Sequence, residues 1–152
     1  MKKLYVILLC LFFMTGCQNK EENVKNEYIA FKKEVLKSAN YQEENLPVDI
    51  ITTIERIDNE NINYKTVINN PKENMHNIKI MLVHNYQNEN LYPSIGIFDE
   101  TKELLVENTE EIILEDIIKS NENLSKLDLE LKLLIEYIDD FGEKKDIYYK
   151  TT

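Results

Sequence analysis

From residue 47 onward apolar side chains recur at every second position, whereas between residues 24 and 40 they recur at helical spacing. Val48, Ile50, Thr52 and Ile54 alternate with Asp49, Thr53 and Glu55, and Ile62, Tyr64, Thr66 and Ile68 alternate with Asn61, Asn63, Lys65 and Asn69. A period of two sends one set to each face, so both segments predict half-buried strands, joined by the polar turn Asp58-Asn59-Glu60. Ile78, Ile80, Leu82 and His84 predict a third strand, bounded by the turn-forming stretches 69–74 and 85–90. Tyr92 to Phe98 reads as a strand with Pro93 marking an edge, and Glu103 to Val106 as another. The segment Glu111 to Lys119 fits helix or strand and is assigned to strand on the surrounding rhythm.

The strongest signal lies near the C-terminus. Leu127, Leu129, Leu131, Leu133, Ile135 and Tyr137 share one parity, with Asp128, Glu130, Lys132 and Glu136 on the other. A helix would bring Leu129, Leu133 and Tyr137 to the solvated side, whereas a strand misplaces only Leu134 and Ile138, so a strand is predicted. The turn Asp139 to Lys144 follows, with Gly142 free to take positive φ, and Ile147 and Tyr149 begin a returning strand.

Ahead of these strands, Val24, Tyr28, Phe31, Val35 and Ala39 predict one amphipathic helix over residues 24–40, its stripe docking on the domain that follows. Residues 17–23 are polar and predict a mobile tether. At the N-terminus, Lys2 and Lys3 precede the unbroken apolar run Leu4 to Met14 and the small residues Thr15 and Gly16. This is the order of a secretory signal peptide, and the run is far short of the roughly 20 residues that cross a bilayer. The tetrapeptide Met14-Thr15-Gly16-Cys17 resembles the lipobox of bacterial lipoprotein precursors. That resemblance implies cleavage after residue 16, a diacylglyceryl anchor on Cys17, and a cell-membrane location at the extracytoplasmic face. The two cysteines are Cys10 and Cys17, so the expected mature domain carries no thiol for a disulfide, a metal or a nucleophile.

About seven strands over residues 47–152, with a turn every ten residues or so, predict an antiparallel β-sandwich. The rhythm of ITTIERIDNENINYKTVINNPKENMHNIKIMLV and of LELKLLIEYIDDFGEKKDIYY resembles immunoglobulin-like and fibronectin-III-like modules. The fold expectation is therefore a mainly β, immunoglobulin-like sandwich preceded by one helix. Trp is absent and so is a Cys pair, which sets the chain apart from antibody domains.

Charge narrows the partners. The net charge is −10, and loss of residues 1–16 with their two lysines takes it to −12. Such a domain is repelled by nucleic acid and by anionic head groups, so it is expected to stand off the membrane rather than lie on it. Candidate chemistry is sparse. His76 and His84, at the two ends of one predicted strand, lie about 27 Å apart at roughly 3.3 Å per residue and cannot share a metal. A histidine at a strand end is expected at the surface. Asp139 and Asp140 lack the spacing of an EF-hand and read as an acidic turn. No phosphate-binding loop, nucleophile elbow or zinc spacing occurs, and no cofactor or metal is expected. Tyr137, Tyr148 and Tyr149 gather on the closing hairpin and are the candidate interface residues, since tyrosine combines apolar area with a polar tip. The expectation is a non-catalytic, membrane-anchored module that binds or scaffolds an envelope protein. An immunity or inhibitor lipoprotein that masks a basic toxin or cell-wall hydrolase, and an enzyme with an atypical carboxylate site, are the alternatives.

Overall fold

The computed structural model of the chain describes residues 21–39, 41, 45–86 and 90–151. The expected signal peptide, residues 1–16, and the expected lipidation position Cys17 lie outside the described residues. Helix α1 covers residues 21–37, so residues 21–23, expected in the tether, are already helical. Its last turn is closed by Ser38 N–H donating to the Glu34 carbonyl and by the Tyr41 hydroxyl donating to the Val35 carbonyl, both at 3.2 Å. Two carbonyls that a helix end leaves unpaired are thereby satisfied.

The strands are β1 (Asp49–Arg56), β2 (Asn61–Asn69), β3 (Met75–His84), β4 (Ser94–Ile95), β5 (Lys102–Leu104), β6 (Ile112–Lys119), β7 (Leu131–Ile138) and β8 (Lys144–Thr151). They form two antiparallel sheets. One has the order β1-β2-β6, and the other β4-β3-β7-β8 with β5 also paired to β3. Ile62, Tyr64, Ile68, Ile112, Leu114 and Ile118 of the first sheet share a buried core with Ile78, Ile80, Leu82, Leu133, Ile135 and Ile147 of the second. The face that the period of two assigns to the interior is the face that packs there. The segment 111–119, ambiguous by periodicity, is the strand β6, pairing in register with β2 from Ile68↔Ile112 to Asn61↔Lys119. In the β1–β2 turn the Asp58 carboxylate accepts the N–H groups of Glu60 and Asn61, both at 2.8 Å. That local bonding is why Asp initiates the turn.

The second sheet is covered on both faces. Met81, Val83 and Leu134 point away from the first sheet and meet Tyr28, Phe31 and Val35 of α1 in a separate buried cluster, with Tyr92 and Tyr148 packed beside it. This accounts for Leu134, one of the two residues that alternation could not place. A strand buried on both faces reads as a continuous apolar run, as Ile80-Met81-Leu82-Val83 does.

Three segments differ from the expected strands. Between Tyr92 and Phe98 only Ser94–Ile95 pairs with β3. Gly96 has φ 74°, and a Cβ there would sit 2.6 Å from the Ile78 carbonyl oxygen, so the chain must turn where it crosses β3. In β3, Asn77 takes φ 52° as the register against β7 shifts between His76 and Lys79, a bulge that bends the strand. Strand β7 begins at Leu131 and not at Leu127, because the Asn85 side chain displaces the ladder. Its amide donates to the Asp128 carbonyl at 2.7 Å and its carbonyl accepts the Glu130 N–H at 3.0 Å. Gly142, with φ 80°, turns the β7–β8 hairpin as expected.

The α1 seam generates a stability prediction. Phe31→Ala removes a buried ring from it and is expected to cost roughly 3–5 kcal/mol in urea unfolding, whereas Lys33→Ala on the exposed side stays within about 0.5 kcal/mol. Equal costs for the two would show that α1 is not part of the cooperative unit.

Candidate functional site

Four places in the fold concentrate chemistry-bearing or unpartnered side chains. The first is the end of the second sheet around the β7–β8 turn. Asp139 is buried, and one of its oxygens accepts the Phe141 and Glu143 N–H groups, both at 2.9 Å, while the other meets Lys145 at 3.0 Å. The Glu143 N–H, followed by Lys145, holds its carboxyl below the usual range. Lys145 also reaches Glu73 at 3.2 Å, and Glu73 accepts the Tyr137 hydroxyl at 2.5 Å. Asp140 turns the other way, to Nε2 of His76 at 2.9 Å, and the opposite ring nitrogen faces Glu103 of β5 at 3.3 Å. The two aspartates that sequence places side by side thus serve separate networks. Each carboxylate has its cation or its backbone donors, as a structural clasp requires. Carboxylates on both ring nitrogens favour the imidazolium, and the His76 pKa lies above its ordinary value.

The second place is His84. Expected at the surface, it is only 6% exposed and stands edge-on between Tyr64 and Tyr92, with ring centroids 5.5 and 5.1 Å away. The correction has a plain cause. His84 continues the inward parity of Ile80 and Leu82, and the chain that returns through Tyr92 closes over the strand end. Burial pushes the imidazole pKa down and the Tyr64 phenol up. Among the described residues neither Nδ1 of His84 nor the Tyr64 hydroxyl has a hydrogen-bond partner. From Tyr92 the aromatic contacts run on to α1. The Tyr92 N–H donates to the Tyr28 hydroxyl at 2.7 Å, Lys32 Nζ lies 4.7 Å from the Tyr92 ring centre, and Tyr28 contacts Phe98 at 5.2 Å.

The tyrosines of the closing hairpin do not make one surface. Tyr149 pairs across from Leu133 and packs against the core between the sheets, as does the buried Tyr137. Tyr148 pairs across from Leu134 and faces α1, where its hydroxyl donates to Glu34 at 3.1 Å. Burial first, then Glu34, pushes its phenol up to about 12. Consecutive strand residues point to opposite faces, so Tyr148 and Tyr149 are divided by the sheet.

The third place is the outer face of β1-β2-β6, which sequence reasoning left as a merely polar side. Ile51, Val67 and Ile113 stand opposite one another in register and form a single apolar row across all three strands. Ile51 and Ile117 are 53% and 52% exposed, and Ile113 is 40% exposed. Among the described residues nothing covers this face, and β1 and β6 each have one edge unpaired. The signal was present in the sequence, since each strand carries an isoleucine or valine on its polar parity. It becomes visible only when the register aligns them. The fourth place is a cavity of about 410 Å³ at the sheet's end, lined by Arg56, Asn59, Asn121, Glu122, Asn123 and Leu124. Arg56 there donates to the Asp58 and Ser120 carbonyls at 3.1 Å and to the Glu122 carbonyl, so its guanidinium ties loops together.

No protein-family model, curated protein or solved structure matches this chain.

The two histidines make opposite demands on pH. The folded state holds the His76 proton more tightly than the unfolded chain, so its contribution to stability is full below about pH 6.5 and fades as pH rises through the raised pKa. At His84 the unfolded chain takes the proton first, so its contribution is lost as pH falls below about 6.5. NMR titration is expected to give two imidazole midpoints, one on each side of 6.5, and His76→Gln should remove the higher one. Two midpoints on the same side would contradict the geometry.

Proposed function

We propose that this chain is an extracytoplasmic lipoprotein, tied to the membrane by a diacylglyceryl group on Cys17, whose immunoglobulin-like sandwich binds an envelope protein and catalyses no reaction. The lipid anchor rests on the run Leu4 to Met14 and on Met14-Thr15-Gly16-Cys17. Among the described residues no helix is long and apolar enough to cross a membrane, which is compatible with attachment through the acyl chains. The immunoglobulin-like reading is supported by strand order. Strands 1, 2 and 6 in one sheet, and 3, 7 and 8 with short strands beside 3 in the other, correspond to the A-B-E and C-F-G groupings of such sandwiches.

The observation that carries the binding role is the row Ile51-Val67-Ile113. Apolar side chains aligned and exposed on one sheet face mark an interaction surface more often than chance, particularly with polar residues around them. Here the next row is Thr53-Lys65-Glu115. The enzymatic alternative needs carboxylates free to act, and Glu73, Glu103, Asp139 and Asp140 are engaged in ion pairs.

Two measurements test this. Cys17→Ser is expected to abolish acylation and cleavage by the lipoprotein pathway, leaving an unlipidated precursor that retains residues 1–16 and yields no acylated mature form at the membrane. Unchanged processing and retention would remove the anchor. A photo-crosslinking residue placed at Ile113 in the lipidated protein in intact cells is expected to give a discrete adduct that Ile51→Glu abolishes, and one at Phe141 on the β7–β8 turn none. Adducts of equal yield at both positions would exclude this face as the binding surface.

A further inference from the structure

Net charge describes the whole domain, but charge along α1 is sorted by direction. At 100° per residue, the face carrying Tyr28, Phe31 and Val35 is buried on the second sheet, and Glu27 and Glu34 project to one side of it, toward Lys79 and Tyr148. On the other side, Lys25, Ile29, Lys32, Lys33 and Leu36 fall within an arc of about 100°. Ile29 and Leu36 are about half exposed there, and Glu22 is the one acid in that arc. Beside this flank runs the segment around β4. Lys32 lies over the Tyr92 ring, Tyr28 contacts Phe98, and the Leu91 and Phe98 side chains are themselves largely exposed. Lysines interspersed with exposed Ile, Leu and Phe are the composition of a surface that rests in a bilayer interface, apolar groups in the acyl boundary and ammonium groups at anionic phosphates.

Chain length says what covers this surface. Cys17 is four residues from the first described turn of α1, a span of at most about 14 Å. Tyr28 lies seven residues further along the helix, about 10 Å at 1.5 Å per residue. Phe98, packed on Tyr28, therefore cannot be far from the lipidated residue. We propose that the Lys25-Ile29-Lys33-Leu36 flank of α1, together with Leu91 and Phe98, lies against the anionic bilayer to which Cys17 is anchored, and so holds the domain in one orientation. This rests on the lipoprotein reading and refines the expectation that so acidic a domain stands clear of the membrane. Lys25, Lys32 and Lys33 against Glu22 leave the α1 flank itself locally basic, while Asp99 and Glu100 follow Phe98 in the adjoining segment.

The absence of Trp from the chain gives a clean reporter. In the acylated protein reconstituted in phosphatidylglycerol/phosphatidylcholine vesicles containing spin-labelled lipid, Phe98→Trp is expected to show blue-shifted, strongly quenched emission. Phe141→Trp, at a position 90% exposed on the β7–β8 turn, is expected to remain unquenched. Adding Lys25→Glu and Lys33→Glu should relieve the quenching at position 98, and in the unlipidated chain of residues 17–152 with Cys17→Ser should weaken partition onto the same vesicles tenfold or more. Leu91→Trp serves as a second reporter should Phe98→Trp disturb the contact with Tyr28. If the protein carries its acyl chains and stays on the vesicles while neither position 98 nor 91 is quenched beyond position 141, the orientation is wrong and the anchor stands. If the mass of the protein from cells shows no acyl group on Cys17, the lipoprotein reading itself fails, and this inference with it.

Discussion

Phe31 and Val35 of α1 rest on Met81, Val83 and Leu134 of the second sheet, and this contact sets the character of the whole domain. It gives that sheet two buried faces, so β3 and β7 form the middle layer of a three-layer stack of helix, sheet and sheet. Burying a large aliphatic or aromatic side chain yields on the order of 2 kcal/mol. A helix of about five turns gains little stability from propensity alone, so the few apolar residues of α1 must account for most of its attachment. Glu27 with Lys79, and Glu34 with Tyr148, sit at the rim of the seam and orient the helix across the strands.

Polar groups divide between the two ends of the stack. Around the β7–β8 turn, Asp139, Lys145, Glu73 and Tyr137 satisfy one another, and His76 joins β3 to Glu103 of β5 and to Asp140 of the turn. Here charge fastens short edge elements that have few backbone ladder bonds of their own. At the other end His84 is buried between aromatic rings, and burial, outweighing the opposing charge of Asp116, favours its neutral form. The same residue type thus fills opposite electrostatic roles within one strand, and the surroundings of each ring decide which.

The stack also separates the two surfaces that remain available. Sheet β1-β2-β6 uses one face for the core and leaves Ile51, Val67 and Ile113 outward, whereas the far side of the molecule presents α1. On the proposed reading, the helical flank would meet the bilayer and the apolar row, on a different face of the molecule, would stay free for a partner. A tethered module that binds a partner benefits from that arrangement, because orientation is restricted before encounter and less freedom is lost on binding.

Much of this could be read from residue order. The period of two located β1, β2 and β3 and assigned their inward faces, because a half-buried strand writes its burial into alternate residues, whereas β6 followed only from the rhythm around it; Gly142 marked its turn for a similarly local reason. The helix at Tyr28, Phe31 and Val35 was equally legible. What required tertiary structure was every feature set by a second contact from far along the chain. Leu134 is buried by a helix some hundred residues before it, His84 by Tyr64 of β2 and by Tyr92 ahead of β4, and Tyr148 is parted from Tyr149 by the sheet between them. Gly96 shortens β4 because β3 passes beneath it, and Asn85 takes the ladder bonds that Leu127 to Glu130 would otherwise make. Periodicity records which side of an element avoids water; it does not record what lies on that side, and register alone brings Ile51, Val67 and Ile113 into one row.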